Sequence, residues 1–183
     1  MSRDLEFFVH DHPTWDNDSF NYDVVFTKPG MYRVLGDFYP EGATPQLISK
    51  TIFVTGTESP KVPVRRDYST KDAFNLKVEF STAPAQPVAG VETKMRFKLS
   101  PDDGIEKYLG AWGHMLAASD DLVDLMHTHP YVADGGPDLE FHLVFPRPRM
   151  YRVWVQFQRK GVVNTVHFDV PVQQTGSDSG GKN

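Results

Sequence analysis

Apolar and polar residues alternate along most of this chain, which is the signature of extended strands with one buried face. Leu139, Phe141, Leu143 and Phe145 fall on one face of a segment, and Phe20, Tyr22, Val24 and Phe26 repeat the pattern earlier. The next strand turns Tyr151, Val153, Val155 and Phe157 inward, matched by Tyr32, Val34 and Phe38. A last strand turns Val162, Val166, Phe168, Val170 and Val172 inward, and Leu76–Phe80 and Thr93–Leu99 read as strands on either side of the Pro-rich loop Ala83–Gly90. No helical period of useful length appears. About seven short strands in a module this size predict an all-β, Greek-key β-sandwich of immunoglobulin-like or cupredoxin-like form. Between two of the strands, Lys28-Pro29-Gly30-Met31 suits a type II turn, because Pro presets φ and Gly accepts φ > 0. Arg149 stands where the later copy would need that Gly, so a different turn is expected there.

The pattern occurs twice. Residues 4–13 (DLEFFVHDHP) match 121–130 (DLVDLMHTHP) at an offset of 117, and residues 20–34 match 139–153 at an offset of 119. SKTIFV at 49–54 and TVHFDV at 165–170 close the two copies. Three blocks in one order indicate a domain duplication rather than a solenoid of short repeats. The second copy has about sixty residues before its HTHP block, whereas Met1 aligns with Ala118, inside an expected strand. The expectation is therefore a tandem of an incomplete first module (1–57), truncated at its N-terminus, and a complete second module (58–174), followed by a disordered tail (175–183). The stretch Thr55–Arg65 serves as linker. A half sandwich leaves an open strand edge, so a protein partner or self-association through the first module is expected.

Composition narrows the chemistry. The 183 residues include 39% hydrophobic and 13% aromatic residues, enough for a packed core. Cysteine is absent, which excludes disulfide scaffolds, thiolate zinc sites, iron–sulfur clusters, cysteine nucleophiles and blue-copper centres. A net charge of −5 argues against a nucleic-acid binder that works by neutralising phosphates. No run of about 18 apolar residues exists to span a bilayer, and the opening residues do not read as a signal peptide.

Histidine carries the candidate chemistry. If Trp112–Ser119 and Leu122–His129 form a hairpin bent at Asp120-Asp121, then His114 lies opposite His127, Trp112 opposite His129, and Met115 opposite Met126. His127 and His129 are two apart, so they share a face with His114, together with Trp112, Leu116, Ala118, Val123 and Leu125. That face is the more apolar and is expected to be the core face. Three neutral imidazoles suit copper or zinc. Met115 and Met126 on the other face would add soft ligands for Cu(I) if that face were open. His10 and His12 are the weaker counterparts in the first copy. The alternative is structural: one imidazole bonds a backbone carbonyl and another caps a loop, with no metal. A zinc hydrolase is disfavoured, because no carboxylate base is placed by spacing. A non-enzymatic role is therefore expected.

Other features read as scaffold. His142 and His167 alternate outward as surface residues, and Met31 and Met150 pack against aromatics. Asp16-Asn17-Asp18 is a solvated turn, since it lacks calcium-loop spacing. Arg147, Arg149, Arg152, Arg159 and Lys160 read as a solvated edge that discourages strand pairing. Gly135-Gly136-Pro137 is a loop rather than a phosphate cradle, and Ser119 beside two aspartates is no triad.

YLGAWGHMLAASDDLVDLMHTHP (residues 108–130), followed by FPRPRMYRVWVQFQRKGVVNTVHFDV (145–170), resembles a family of exported bacterial proteins built from tandem β-sandwich modules with GH…HxHP signatures. The resemblance covers most of residues 3–172. It implies an extracytoplasmic setting, periplasmic or secreted, and a histidine-based metal role, copper ahead of zinc, on His114, His127 and His129. The spacing of His114-Met115 and Met126 is also similar to periplasmic copper(I) chaperones, whose HxM element would fall at Pro148-Arg149-Met150, where the histidine is missing.

Overall fold

Strand-forming alternation becomes a ladder only where a neighbouring strand accepts its hydrogen bonds, and this decides which expected strands form. The structure, a computed structural model, describes every residue except 39, 45, 59, 132–134, 175 and 177–183, so the expected disordered tail lies outside the described residues apart from Gly176. The chain divides into two compact units, Met1–Pro63 and Val64–Asn183.

The second unit is a β-sandwich. Its first sheet runs β5 (Lys71–Asp72), β6 (Lys77–Ala83), β7 (Glu92–Ser100) and β11 (Asp138–Val144), with β6, β7 and β11 paired in that order. The other runs β10 (Leu125–Thr128), β9 (His114–Ser119), β12 (Met150–Arg159) and β13 (Val162–Pro171), and β8 (Ile105–Glu106) also pairs with β12. All pairs are antiparallel. In immunoglobulin terms β6, β7 and β11 are strands A, B and E, facing β10, β9, β12 and β13 as C′, C, F and G, so of the two forms expected the order matches the immunoglobulin-like one.

Between the sheets lie Val78, Phe80, Met95, Phe97, Leu99, Leu139 and Phe141 from one side. Met115, Ala117, Tyr151, Val153, Val155, Phe157, Val166, Phe168 and Val170 come from the other. Phe80 stacks on Phe97 and Phe168 at centroid distances of 4.9 and 4.5 Å, an offset arrangement that aromatic quadrupoles favour. The expected inward faces of β11 and β12 are thus the observed ones. On β13, Val162 is 37% exposed instead, and the next inward position is Asn164. Asn164 is affordable in the core because its amide donates to Asn75 Oδ1 (2.8 Å) and to the Val162 carbonyl (3.0 Å).

The expected basic edge is also corrected. Arg152 is 7% exposed and forms a two-pronged pair with Asp169, at 2.8 and 3.0 Å. Arg159 is 8% exposed and donates to the Asp103 carboxylate and the Asn75 carbonyl. These are paired charges, which is the condition under which an arginine can be buried. His142, expected on the surface, lies against Glu140 (2.7 Å) and stacks on Tyr131.

The first unit contains two hairpins: β1 (Thr14–Asp16) with β2 (Ser19–Asn21), and β3 (Gly30–Phe38) with β4 (Gln46–Val54). The first turns at Asn17-Asp18, both at positive φ (47° and 59°), the conformation a two-residue hairpin prefers. The expected strand Phe20–Phe26 is formed only through Asn21. Its counterpart β11 is held by a full ladder to β7, and no such partner strand is described in the first unit. Likewise Tyr32 is buried as expected, but Val34 and Phe38 are 42% and 40% exposed. On β4, Ile52 lies opposite Tyr32 as Val170 lies opposite Tyr151. The ladder therefore aligns these strands two residues away from the sequence match of SKTIFV with TVHFDV.

The two units repeat one corner in detail. Tyr32 donates its hydroxyl to the Lys28 carbonyl (2.7 Å), and the Tyr151 hydroxyl, whose single proton is shared with the Asp124 carboxylate, reaches the Arg147 carbonyl at 3.1 Å, both carbonyls four residues upstream. This is the tyrosine corner of immunoglobulin-like sandwiches. Phe26 lies 4.5 Å from Tyr32, and Phe145 lies 4.7 Å from Tyr151. Gly30 has φ of 134°, while Arg149 is not among the positive-φ residues, so the two turns differ as expected. Replacing Tyr151 by Phe removes the hydroxyl that bonds both Arg147 and Asp124, and should lower unfolding stability by about 1–3 kcal/mol in a urea titration. An unchanged midpoint would contradict a structural role for this corner.

Candidate metal centre

The geometry of the histidines is set by how β9 turns into β10. Ser119 closes the turn. Its amide donates to the Asp124 carbonyl (2.9 Å), and its hydroxyl donates to Asp121 (2.5 Å) while accepting from the Asp124 amide (2.9 Å). Leu122 takes φ of 58° and is 3% exposed. The first unit repeats this loop: Ser2 bonds Asp4, the Phe7 amide donates to Ser2 Oγ (2.9 Å), and Leu5 has φ of 62° and no exposure. A bulky residue at positive φ is uncommon, and here a buried leucine does it twice.

The loop between paired strands is thus longer than the two-residue bend expected. Leu116 lies opposite His127 and Met115 opposite Thr128. Continued by one pair, this register sets His114 opposite His129, not His127. The slip is two residues, an even number, so the three histidines keep a common face. It also separates Met115 from Met126, which lies opposite Ala117.

The core face is the opposite of the one expected from apolar content. The core takes Met115 and Ala117, Met126 packs against the same core, and so does Trp112. The methionines are therefore packing residues rather than soft ligands. Every residue of β9 is buried, on both faces, so apolar content could not tell the core face from the other. The histidine face lies on the outer side of the β10-β9-β12-β13 sheet. Pairing lays it out in rows: His127, Leu116, Trp154 and His167 in one, and His114, Gln156 and Thr165 in the next, with His129 continuing it.

Within that face the three rings cluster. Ring centroids of His114 and His129 are 4.7 Å apart, those of His127 and His129 4.9 Å, and those of His114 and His127 5.8 Å. His129 Nε2 lies 3.1 Å from His114 Nδ1, and His114 and His127 each offer a ring nitrogen within 4.8 Å of the other. Two imidazole nitrogens bound to one tetrahedral ion at ordinary Zn–N lengths would be ~3.3 Å apart. The 3.1 Å approach is thus compatible with a ligand pair as well as with a hydrogen bond. His114 is 4% exposed, His127 is half-buried and His129 is exposed, so the cluster opens to solvent on the His129 side. His10 and His12 belong to the first unit, where His10 is half-buried, and His12 is exposed with its amide donating to the Asp11 carboxylate.

Two features of this region escaped the sequence reading. His114 Nε2 lies 2.7 Å from the Tyr108 carbonyl, which can only accept, so Nε2 carries the proton. That carbonyl belongs to a tight turn at Leu109 and Gly110, with φ of 48° and 86°. Leucine is a poor residue for such a turn, and nothing in Tyr-Leu-Gly-Ala signals it. The second is an ion network below the loop. Arg147 reaches Asp121 (2.9 and 3.0 Å) and Asp124 (2.8 Å), Arg149 reaches Asp120 (2.7 Å), and Tyr151 donates to Asp124 (2.7 Å). Burial alone would raise the Asp121 carboxyl, but hydrogen bonds from Arg147, Ser119 and the Val123 amide, with the charge of Arg149, hold it well below the usual carboxylate range.

An immunoglobulin-like β-sandwich with an imidazole cluster on the outer side of one sheet is the class that fold and site define. Residues 71–174 match the model of a family described as a domain of unknown function (DUF8832), and the chain belongs to that family. No curated protein and no solved structure matches the chain. Among the described residues, no helix is long and apolar enough to cross a membrane.

The Asp121 carboxyl titrates lower when folded than its ordinary ~3.9 when unfolded, so its contribution is fully present above that value and is lost as pH falls below it. Asp121→Asn should cost about 2 kcal/mol at pH 7, and the gap to the parent protein should narrow below pH 4. Urea midpoints measured across pH 2–7 check this; a gap independent of pH contradicts it.

Proposed function

We propose that this protein is an extracytoplasmic, non-enzymatic metal-binding β-sandwich whose second unit holds one Cu(II) or Zn(II) ion on His114, His127 and His129. The observation that carries the reading is the His114 ring. Its Nε2–H is committed to the Tyr108 carbonyl, leaving Nδ1 as the lone-pair nitrogen, 3.1 Å from His129 Nε2. A ligand histidine whose other nitrogen donates to a backbone carbonyl is the usual arrangement at metal sites. With Met115 in the core and Met126 packed against it, the donor set is nitrogen alone, and copper precedes zinc only by the general affinity order of divalent ions. The setting outside the cytoplasm rests on the sequence resemblance.

A structural reading has one observation in its favour. A hydrogen bond from His129 Nε2–H to His114 Nδ1 satisfies both rings without an ion. The two readings part on titration. Calorimetry with Cu(II) and Zn(II), with fluorescence of Trp154 on the same face as a second readout, should give one ion per chain with Kd below ~10 μM. His114→Ala or His127→Ala should weaken it by at least about tenfold, and Met126→Leu, a volume-conserving change in the core, should leave it unchanged. Binding no tighter than ~10 μM, or an unchanged His127→Ala protein, favours the structural module.

A further inference from the structure

The carbonyl that engages His114 Nε2 belongs to the turn before β9, and the way that turn is built bears on how firmly the ring is held. Tyr108 and Ala111 close that turn with two backbone hydrogen bonds: Tyr108 N–H to the Ala111 carbonyl (2.8 Å) and Ala111 N–H to the Tyr108 carbonyl (3.0 Å). The same Tyr108 carbonyl accepts from His114 Nε2 at 2.7 Å, and the Tyr108 ring stands edge-on to the imidazole, 5.8 Å away and at 85°. Gly113, just before His114, has no room for a side chain. A Cβ there would lie 2.8 Å from Phe157 and 3.2 Å from Phe141, so the backbone between turn and strand is seated on the core. The ring is held from two sides, by a carbonyl whose position the turn fixes and by a strand whose position the core fixes.

We infer that the Leu109–Gly110 turn is a positioning device that locks His114 in the Nε2–H tautomer and so makes Nδ1 its ligand atom, with His129 ligating through Nε2. This rests on the metal reading above for its purpose, but not for its first test. In a neutral His114 ring locked this way, Nδ1 accepts, so His129 Nε2 must donate across the 3.1 Å gap. An arriving ion takes the place of that proton, and His129, the exposed member, is the ring that turns its tautomer over.

Gly110 is the residue through which to test it. Its φ of 86° is strained for any side chain, yet a Cβ there meets nothing within 4 Å, so Gly110→Val acts on the backbone of the turn without a clash. Gly161 at the β12–β13 turn has the same properties (φ of 74°, nothing within 4 Å), so Gly161→Val is the matched control for strain alone.

In metal-free protein, long-range nitrogen–proton NMR correlations should report His114 as the Nε2–H tautomer. A Nδ1–H pattern or a fast-exchanging mixture overturns the inference whether or not any metal binds. With Zn(II) added, the coordination shift should fall on His114 Nδ1 and His129 Nε2; a shift on His114 Nε2 overturns the inference while leaving the metal reading intact. Gly110→Val should mix the His114 tautomers and weaken Zn(II) binding about 10- to 100-fold, with Gly161→Val matching the parent protein in both. Equal behaviour of the two variants counts against the turn. If the tautomer is as stated and Zn(II) does not bind, the proposed function fails and the locked ring remains.

Discussion

The loop at Ser119 is the constraint on which the candidate site depends. One hydroxyl accepts two backbone amides and donates to Asp121, and this closes β9 onto β10 with Leu116 opposite His127. A slip of one residue would send His114 through the sheet, away from His127 and His129. In the second unit the loop is also clamped by paired charges. Arg147 and Arg149 bring their guanidinium groups to Asp120, Asp121 and Asp124, and Tyr151 ties Asp124 to the tyrosine corner. The register that groups the three histidines is therefore set by the loop at the end of the strands rather than by the histidines themselves.

The first unit shows what the loop does without that network. Ser2, Asp4 and Leu5 reproduce the turn, and Tyr32 reproduces the corner. Lys28 and Gly30 stand where the second unit has Arg147 and Arg149, and Phe7 stands where it has Asp124. Phe7 packs edge-on against Tyr32 at 5.6 Å, an apolar contact in place of an acceptor for the tyrosine hydroxyl. The duplicated part is the backbone corner; the side chains that clamp it have diverged.

Much of the fold was legible because strand alternation leaves few choices. Tyr151, Val153, Val155 and Phe157 could point only one way if the strand had one apolar face, and they do. The reading failed at β9, whose residues are buried on both sides, so that His114, Leu116 and Ala118 looked as much like core as Met115 and Ala117. It failed again at Arg147, Arg149 and Arg159, whose carboxylate partners lie 23, 29 and 56 residues away along the chain, and at Arg152, whose partner Asp169 is met only once the β12–β13 register is known. The common face of His114, His127 and His129 survived an incorrect register only because the error was even. The Tyr108 carbonyl could not be seen at all, since it depends on a leucine accepting a left-handed conformation.

X-ray absorption at the metal edge, on the full chain loaded with one equivalent of Cu(II) or Zn(II), tests the central claim most directly. The account predicts a first shell of nitrogen or oxygen near ~2.0 Å with the outer-shell pattern of at least two imidazoles. Sulfur scattering near ~2.3 Å, which would require Met115 or Met126 to leave the core, or a shell without imidazole, would contradict it.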